Sequence, residues 1–416
     1  MNLTFLRPDQ VGGCITVVES AKGTRIIVDL GHNLPYGDEE SPDEFASDEA
    51  VAGLTKGAKA IFYTHSHGDH IGLLEYVPEG IDQYLGPLAH EIMTARYAQM
   101  TRYDALKETS YAILRKLKPF KTYCEGQEIR IDDIAVTPFQ VNHSATDAYM
   151  LKICCDGETI LHTGDYRCHG YDGDGIIEAI GSIRGKGDID VLITEGTNIG
   201  NEETMKTESA LKEEFKEVFK TYKNTFVLCS STDADRLLSV YNADIEGAKR
   251  PFVTDKAQKH LLGLIDARAN GRNRIYRFDR RKIYGYDPTV EKMEKMLRKH
   301  GFVMLIRRSG RFQEYLDRIL PFCKPEETCC VFSQYHGYID PENENAFSQK
   351  TFDFIQQFTD KGFAFKEIHT SGHAMKEDIV RVCAAADPKA IIAIHRNPDS
   401  DIKTILPDEL KSRVSQ

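Results

Sequence analysis

Three imidazoles and a carboxylate fall within six residues in His65-Ser66-His67-Gly68-Asp69-His70, directly after the apolar stretch Ala58 to Tyr63. A strand ending at Tyr63 would deliver His65 and His67 to one side of a loop, because alternate residues of an extended chain share a face. Gly68 then lets the chain turn, so that Asp69 and His70 point elsewhere and one segment can serve two metal ions. Neutral imidazoles with a hard carboxylate and no thiolate suit Zn²⁺ first and Mn²⁺ or Fe second. An accidental His-rich surface loop would match a lone His-x-His equally well. It matches the longer pattern, placed at the end of an apolar strand, far less readily.

The elements that must hold such a loop are legible as alternating strand and helix, the pattern of an α/β fold. Strands are predicted at Cys14 to Glu19, Arg25 to Leu30, Ala58 to Tyr63, Ile129 to Val136, Tyr149 to Cys154, Thr159 to His162 and Val191 to Thr194. After Asn198 the texture changes. Leu211, Phe215, Val218, Phe219 and Tyr222 fall on one helical face, with Thr207 and Ser209 before them as N-cap candidates. Strand-like runs at Thr225 to Leu228, Phe302 to Ile306 and Cys329 to Phe332 then alternate with helices to about Phe365. That is a second α/β unit.

At 416 residues the chain exceeds a usual single domain and predicts two, or one with a large insertion. No apolar run approaches 18 residues and the N-terminus has no signal-peptide core, so no membrane association and a cytoplasmic location are expected. The ten cysteines show no CxxC spacing, which fits buried free thiols in a reducing compartment. The net charge of −11 is uneven: from Lys206 to Lys361 there are 28 Lys and Arg against 23 Asp and Glu. The densest basic stretch is Arg268, Arg272, Arg274, Arg277, Arg280, Arg281 and Lys282, with Tyr276 and Phe278 interleaved and only Asp279 opposing. Such a run is either a solvated face or a contact for an anionic partner.

The His-Ser-His-Gly-Asp-His loop resembles the signature of the metallo-β-lactamase superfamily. Other parts of that pattern follow in order: Arg25 to Gly31 with Asp29, Val141-Asn142-His143-Ser144, Leu161 to Arg167 with Asp165, and Ala390 to His395. The resemblance implies that Asp29 braces the metal loop, that His65, His67 and His143 hold one metal, and that Asp69, His70 and His395 hold the other. It also implies that Asp165 and a hydroxide bridge the two. Because the ligands lie on both sides of the middle segment, that segment is an insertion, as in the β-CASP nuclease branch that includes ribonuclease J. Three marks of the branch can be matched: Glu195 in Leu192 to Asn198, His373 in Thr370-Ser371-Gly372-His373-Ala374, and His395 itself.

The implied architecture is an αββα metallo-β-lactamase sandwich of residues 1–200 completed by 366–416, with a β-CASP α/β domain at 201–365. The implied function is zinc-dependent, two-metal phosphodiester hydrolysis of single-stranded RNA, since branches whose third motif is His act on RNA. Asp69 and His373 would take part in catalysis, Glu195 would orient a ligating His, and His373 would face the leaving group. Ser231, Thr232, Ser333, Ser371, Gly372 and Ala374 would bind substrate. A homodimer is compatible with the chain. Two other readings stand beside this one: a hydrolase of a small-molecule ester, thioester or cyclic nucleotide, which has no need of a basic insert, and a non-catalytic nucleic-acid-binding subunit, which would tend to have lost ligands. His32, His90, His162, His169, His260, His300, His336 and His369 read as structural or solvated, with His336 and His369 the first candidates for exceptions.

Overall fold

The apolar runs of the first two hundred residues supply eleven strands of two six-stranded sheets, and β18 (Ala390–Ile394) supplies the twelfth. In the computed structural model, which describes residues 1–39, 41–202 and 205–415, the first sheet has strands β1 (Asn2–Leu6), β2 (Ile15–Glu19), β3 (Arg25–Val28), β4 (Ala58–Phe62), β5 (Asp82–Leu85) and β6 (Lys121–Thr122) in sequential order. The second is built from β7 (Ile129–Ile131), β8 (Ile134–Val141), β9 (Ala148–Cys155), β10 (Glu158–His162) and β11 (Val191–Glu195). The single strand expected from Ile129 to Val136 is two strands of a hairpin, because the chain reverses at Asp132, whose φ is 49°. Asp is among the few residue types that accept that conformation at modest cost.

Between the sheets, Val18, Ile26, Val28, Ala60 and Phe62 meet Ile134, Val136, Leu151, Ile153, Ile160 and Ile193. On the outer face of the first sheet, Ile27 and Ile61 pack with Val51, Ala89, Met93, Ile113 and Leu117 from helices. On the outer face of the second, Leu161 and Leu192 pack with Ile176, Ile180, Ile379 and Val382. Helix, sheet, sheet and helix thus form four layers, each sheet burying both faces, as the near-continuous apolar character of its central strands requires.

The chain divides into two compact units, Met1–Leu34, Ser41–Thr204 and Gly372–Gln416 in one, Pro35–Glu40 and Met205–Ser371 in the other. The second unit has an all-parallel sheet of β12 (Asn224–Cys229), β13 (Phe252–Thr254), β14 (Ile283–Gly285), β15 (Phe302–Ile306), β16 (Thr328–Ser333) and β17 (Ala364–Glu367), in the order β14-β13-β15-β12-β16-β17. Its first helix, Glu208–Thr221, starts where Thr207 accepts a hydrogen bond from the Ala210 amide, and it buries Leu211, Phe215 and Phe219. The last strand of the chain, β18 (Ala390–Ile394), returns to the first unit and pairs in parallel with β11, Glu195 opposite Ile394. No helix among the described residues is long and apolar enough to cross a membrane. All ten cysteines are free thiols, seven of them buried.

One buried carboxyl in the second unit is poorly served. Asp244 is fully buried; its side chain accepts from the Arg250 amide at 3.0 Å while Oδ2 has no hydrogen-bond partner. Burial, only partly offset by Arg250, pushes its pKa up to about 6. The folded chain therefore holds a proton that the unfolded chain releases between the usual carboxylate range and pH 6, so this group lowers stability as pH rises through that window. Asp244→Asn should stabilise the protein by about 1–3 kcal/mol at pH 7.5, and the gain over the wild type should vanish near pH 4. Urea unfolding of both proteins at the two pH values checks this; an equal gain at both would refute the assignment to ionisation.

Candidate metal centre

Each arm of the cluster is fixed by its own backbone constraint. β3 is followed by Asp29, which has φ of 59°. Its Oδ1 accepts from the Thr64 amide at 2.7 Å, and its Oδ2 accepts from the Thr64 hydroxyl at 2.8 Å and from His70 Nδ1 at 2.9 Å. The Thr64 hydroxyl, having donated to Asp29, accepts from His65 Nδ1 at 3.0 Å. One buried carboxylate thereby fixes two imidazoles with Nε2 facing inward. Gly31 lets the next strand end close on the loop, since a Cβ there would lie 1.8 Å from the Asp69 carbonyl.

The other arms come from the second sheet. His143 follows β8 and donates from Nδ1 to the Gly372 carbonyl at 2.7 Å, which turns its Nε2 to within 3.2 Å of His67 Nδ1. Asp165 follows Gly164, whose φ is 57°. Its Oδ2 lies 3.1 Å from His70 Nε2, 4.0 Å from His65 Nε2, 3.6 Å from His395 Nε2 and 3.6 Å from His373 Nδ1. His395, at the end of β18 with φ of 50°, points Nε2 to Asp69 Oδ2 at 3.4 Å. Donor atoms of His65, His67 and His143, of His65, His70 and Asp165, and of Asp69, His70 and His395 each lie within 4.8 Å of one another.

These residues fit a cation. With Nδ1 of His70 committed to Asp29, its Nε2 is turned to a carboxylate oxygen 3.1 Å away. His65 Nε2, His70 Nε2 and Asp165 Oδ2 are all buried and make no hydrogen bond among the described residues. Facing acceptors cost free energy unless something positive lies between them. Burial, reinforced by His70, His143 and His67, holds His65 well below the ordinary imidazole range, and burial with His67 does the same for His143. Both are therefore the neutral ligands a metal needs. At His70 burial opposes charging, but Asp165, Asp69 and Asp29 outweigh it and raise the pKa well above the usual range. The carboxylates thus call for positive charge at this point.

Around the cluster, Glu195 does not turn to a ligand imidazole as expected. Its Oε1 accepts from the Tyr166 and Ala374 amides, both at 3.1 Å, and its Oε2 from His373 Nδ1 at 3.2 Å. The partner of His395 is Thr197, whose hydroxyl accepts from His395 Nδ1 at 2.9 Å and donates to the His395 carbonyl at 3.2 Å. Thr197 sits inside a stretch read for its acid, so the sequence offered no separate signal for it. Asp147 was missed for another reason. It accepts from the Leu88 and Ala89 amides at the start of the helix Pro87–Met100, 59 and 58 residues away, and so anchors the far end of the His143 loop.

Several expected substrate contacts are occupied within the protein. The Ser333 hydroxyl, 3% exposed, accepts from Arg236 Nη1 at 2.6 Å and donates to the Ile368 carbonyl at 2.6 Å, so it is spent inside the second unit. Ala374 is fully buried, its amide on Glu195 and its carbonyl accepting from Asn198. Gly372 is there for space, since a Cβ would lie 2.2 Å from Ser144 Oγ. Ser371 is half-buried. Ser231 and Thr232 are half-buried after β12, Ser231 Oγ accepting from Arg307 at 3.3 Å. Of the remaining histidines, His162 is buried with Gly164 donating to its Nδ1 and Thr16 Oγ1 3.2 Å from its Nε2. His336 meets Glu367 at 2.8 Å, and His369 Nδ1 lies 3.3 Å from Arg236.

Comparison with known proteins agrees with this geometry. Residues 9–210 match the metallo-beta-lactamase superfamily. Ribonuclease J of Helicobacter pylori strain B128 is 24% identical over 405 residues, covering 93% of this chain and 54% of the relative. Ribonuclease J of Sinorhizobium meliloti is 22% identical over 391 residues, covering 89% and 63%, and that of Mycobacterium tuberculosis is 25% identical over 246 residues, covering 58% and 42%. The chain thus spans about half the length of the Helicobacter pylori relatives it matches. A solved structure titled as a protein of unknown function from Enterococcus faecalis V583 superposes with a TM-score of 0.69 at 17% identity, covering 98% of this chain and 95% of that one. It shows the fold.

Two measurements follow from the cluster. Metal analysis of protein saturated with zinc should approach two ions per chain, and Asp69→Asn should empty one site selectively; a saturated content of one or none would rule out the paired arrangement. Thr197→Val should weaken one metal by about 10–100-fold, as removal of an imidazole's outer partner typically does. Thr197→Ser, which keeps the hydroxyl, should restore it. Equal metal affinity in the Val variant would show that His395 needs no such partner.

Proposed function

We propose, from the premise that the chain is a ribonuclease J-like, β-CASP-type member of the metallo-β-lactamase superfamily, that it hydrolyses phosphodiester bonds of single-stranded RNA with two zinc ions. The observation that carries the reading is the set of buried, mutually facing acceptors on His65, His70 and Asp165. His65, His67 and His143 would hold one ion and Asp69, His70 and His395 the other, with Asp165 between them. When bound, such ions lower the pKa of water and neutralise charge on phosphate oxygens.

The chain's own residues then orient and move protons. Asp29, Thr64 and Thr197 fix which nitrogen each ligand imidazole presents. His373, 22% exposed, stands beside the cluster with its Nδ1 3.6 Å from Asp165 Oδ2. Burial opposes its charging, but the carboxylates of Glu195 and Asp165 push its pKa up to about 9. With Nδ1 turned to Glu195, proton delivery goes through Nε2, and the recipient is the departing 3′-oxygen of the RNA. The products are a 3′-hydroxyl end and a 5′-phosphate end.

Incubating the zinc-loaded protein with 5′-labelled single-stranded RNA, DNA of the same sequence and a cyclic dinucleotide tests the substrate class. RNA should be cleaved faster than DNA; equal rates on both, or turnover of the cyclic dinucleotide alone, would overturn the assignment. His373→Ala should keep both metals and its melting temperature while losing about 10²–10⁴-fold in rate. A better leaving group should recover part of that loss. If instead the variant loses stability and turns over normally in its folded fraction, His373 is structural.

A further inference from the structure

The basic segment of the second unit is not a loose solvated run. Tyr276 and Phe278, which alternate with its arginines, are 7% and 1% exposed and cannot stack on anything outside the protein. The Tyr276 hydroxyl donates to Asp235 at 2.6 Å, and the Phe278 ring lies 5.4 Å from that of Tyr241. The backbone is pinned between them: the Phe278 amide donates to Asp266 at 3.0 Å and the Asp279 amide to the Tyr241 hydroxyl at 3.1 Å. Arg277 donates to the Ala269 carbonyl at 2.6 Å. With the aromatics drawn inward, Arg268, Arg274, Arg277, Arg280, Arg281 and Lys282 are left exposed.

Arg280 is also seated. Its side chain crosses the helix Lys256–Ala267 at Gly263, where a Cβ would lie 2.9 Å from Arg280 Nε. A glycine inside a helix costs about 0.5–1 kcal/mol relative to alanine, and here it gives a cation room to lie flat. Asp279, the one acid of the stretch, is taken by Arg281 at 2.9 Å. Arg274 and Arg280 meet no carboxylate among the described residues, and Lys282 feels only Asp279, whose carboxylate Arg281 already holds. The segment leads into β14, the edge strand of the sheet, next to which Lys259 donates to the Ile283 carbonyl at 2.6 Å. In a chain of net charge −11, a rigid array of unneutralised cations at one sheet edge is self-repelling until an anion covers it.

We infer that this edge, formed by Arg274, Arg277, Arg280 and Lys282, is a docking track for the phosphate backbone of single-stranded RNA, used by the parts of a long substrate that are not being cleaved. This rests on the RNA reading of the metal centre. Charge selects the backbone; the buried aromatics leave no stacking platform, so the track reads no base sequence. It therefore governs KM for long RNA and leaves the chemical step alone.

The test compares the zinc-loaded wild type with the triple variant Arg274→Ser, Arg280→Ser, Lys282→Ser and with a control triple that changes net charge equally elsewhere, Lys56→Ser, Lys59→Ser, Lys118→Ser. Substrates are a uridine 30-mer and a uridine trinucleotide. For the 30-mer, the track variant should raise KM roughly tenfold or more at unchanged kcat. The slope of log kcat/KM against log salt should become shallower by about 2, at about 0.7 per lost backbone contact. The trinucleotide should be cleaved as by the wild type, and the control should match the wild type on both. Unchanged KM and slope in the track variant, or an equal loss in the control, would overturn the track while leaving the RNA reading intact. Failure of the wild type to cleave either substrate would bring down the RNA reading and the track with it.

Discussion

The buried nitrogen and carboxylate oxygen that face one another across His70 and Asp165 set the terms for the rest of the first unit. Seven donors, five imidazoles and two carboxylates, are brought together at a place from which water is largely excluded. Each must present a chosen atom, and that choice is made by a hydrogen bond behind it: Asp29 for His70, Thr64 for His65, the Gly372 carbonyl for His143, Thr197 for His395. Without a cation these contacts oppose one another, so a metal bound here would contribute its binding free energy to holding the strand ends in register.

That dependence explains why backbone strain gathers there. Asp29, Gly164 and His395, each at or beside a strand end, all have positive φ. Non-glycine residues hold this conformation only where the surroundings over-determine it. For His395 the surroundings are Thr197, which takes both its ring nitrogen and its carbonyl, and the pairing of β18 with β11. The first unit is therefore completed only by a strand that arrives after the whole second unit has been made.

The second unit is held by a different device. Arg236 and Glu208, at 2.8 Å and almost fully buried, form an ion pair whose remaining donors reach Ser333, His369 and the Thr370 carbonyl. A buried pair of this kind is costly to break from one side, because the remaining charge is stranded. It ties β16 to the segment Ile368–Thr370 that follows β17. The hydroxyl of Ser333, attractive as a phosphate ligand in sequence, belongs to this network.

The sequence by itself determined the metal loop, the strands that flank it and the presence of an insertion, because those features are local: ligand spacing over six residues, apolar runs, and cap residues such as Thr207. It also yielded His143, Asp165, His373 and His395, though only through likeness to a known pattern. What it left out are contacts between residues far apart in the chain. Thr197 meets His395 across 198 residues, and Asp147 caps a helix through the amide of Leu88, 59 residues earlier. Glu195 looked like a partner for a ligand and turned to His373 instead, and the aromatics of the basic segment looked exposed and proved to be its anchors. A side chain's type states what it can bind, but burial and the geometry of its neighbours decide what it does bind, and those exist only once the chain has folded.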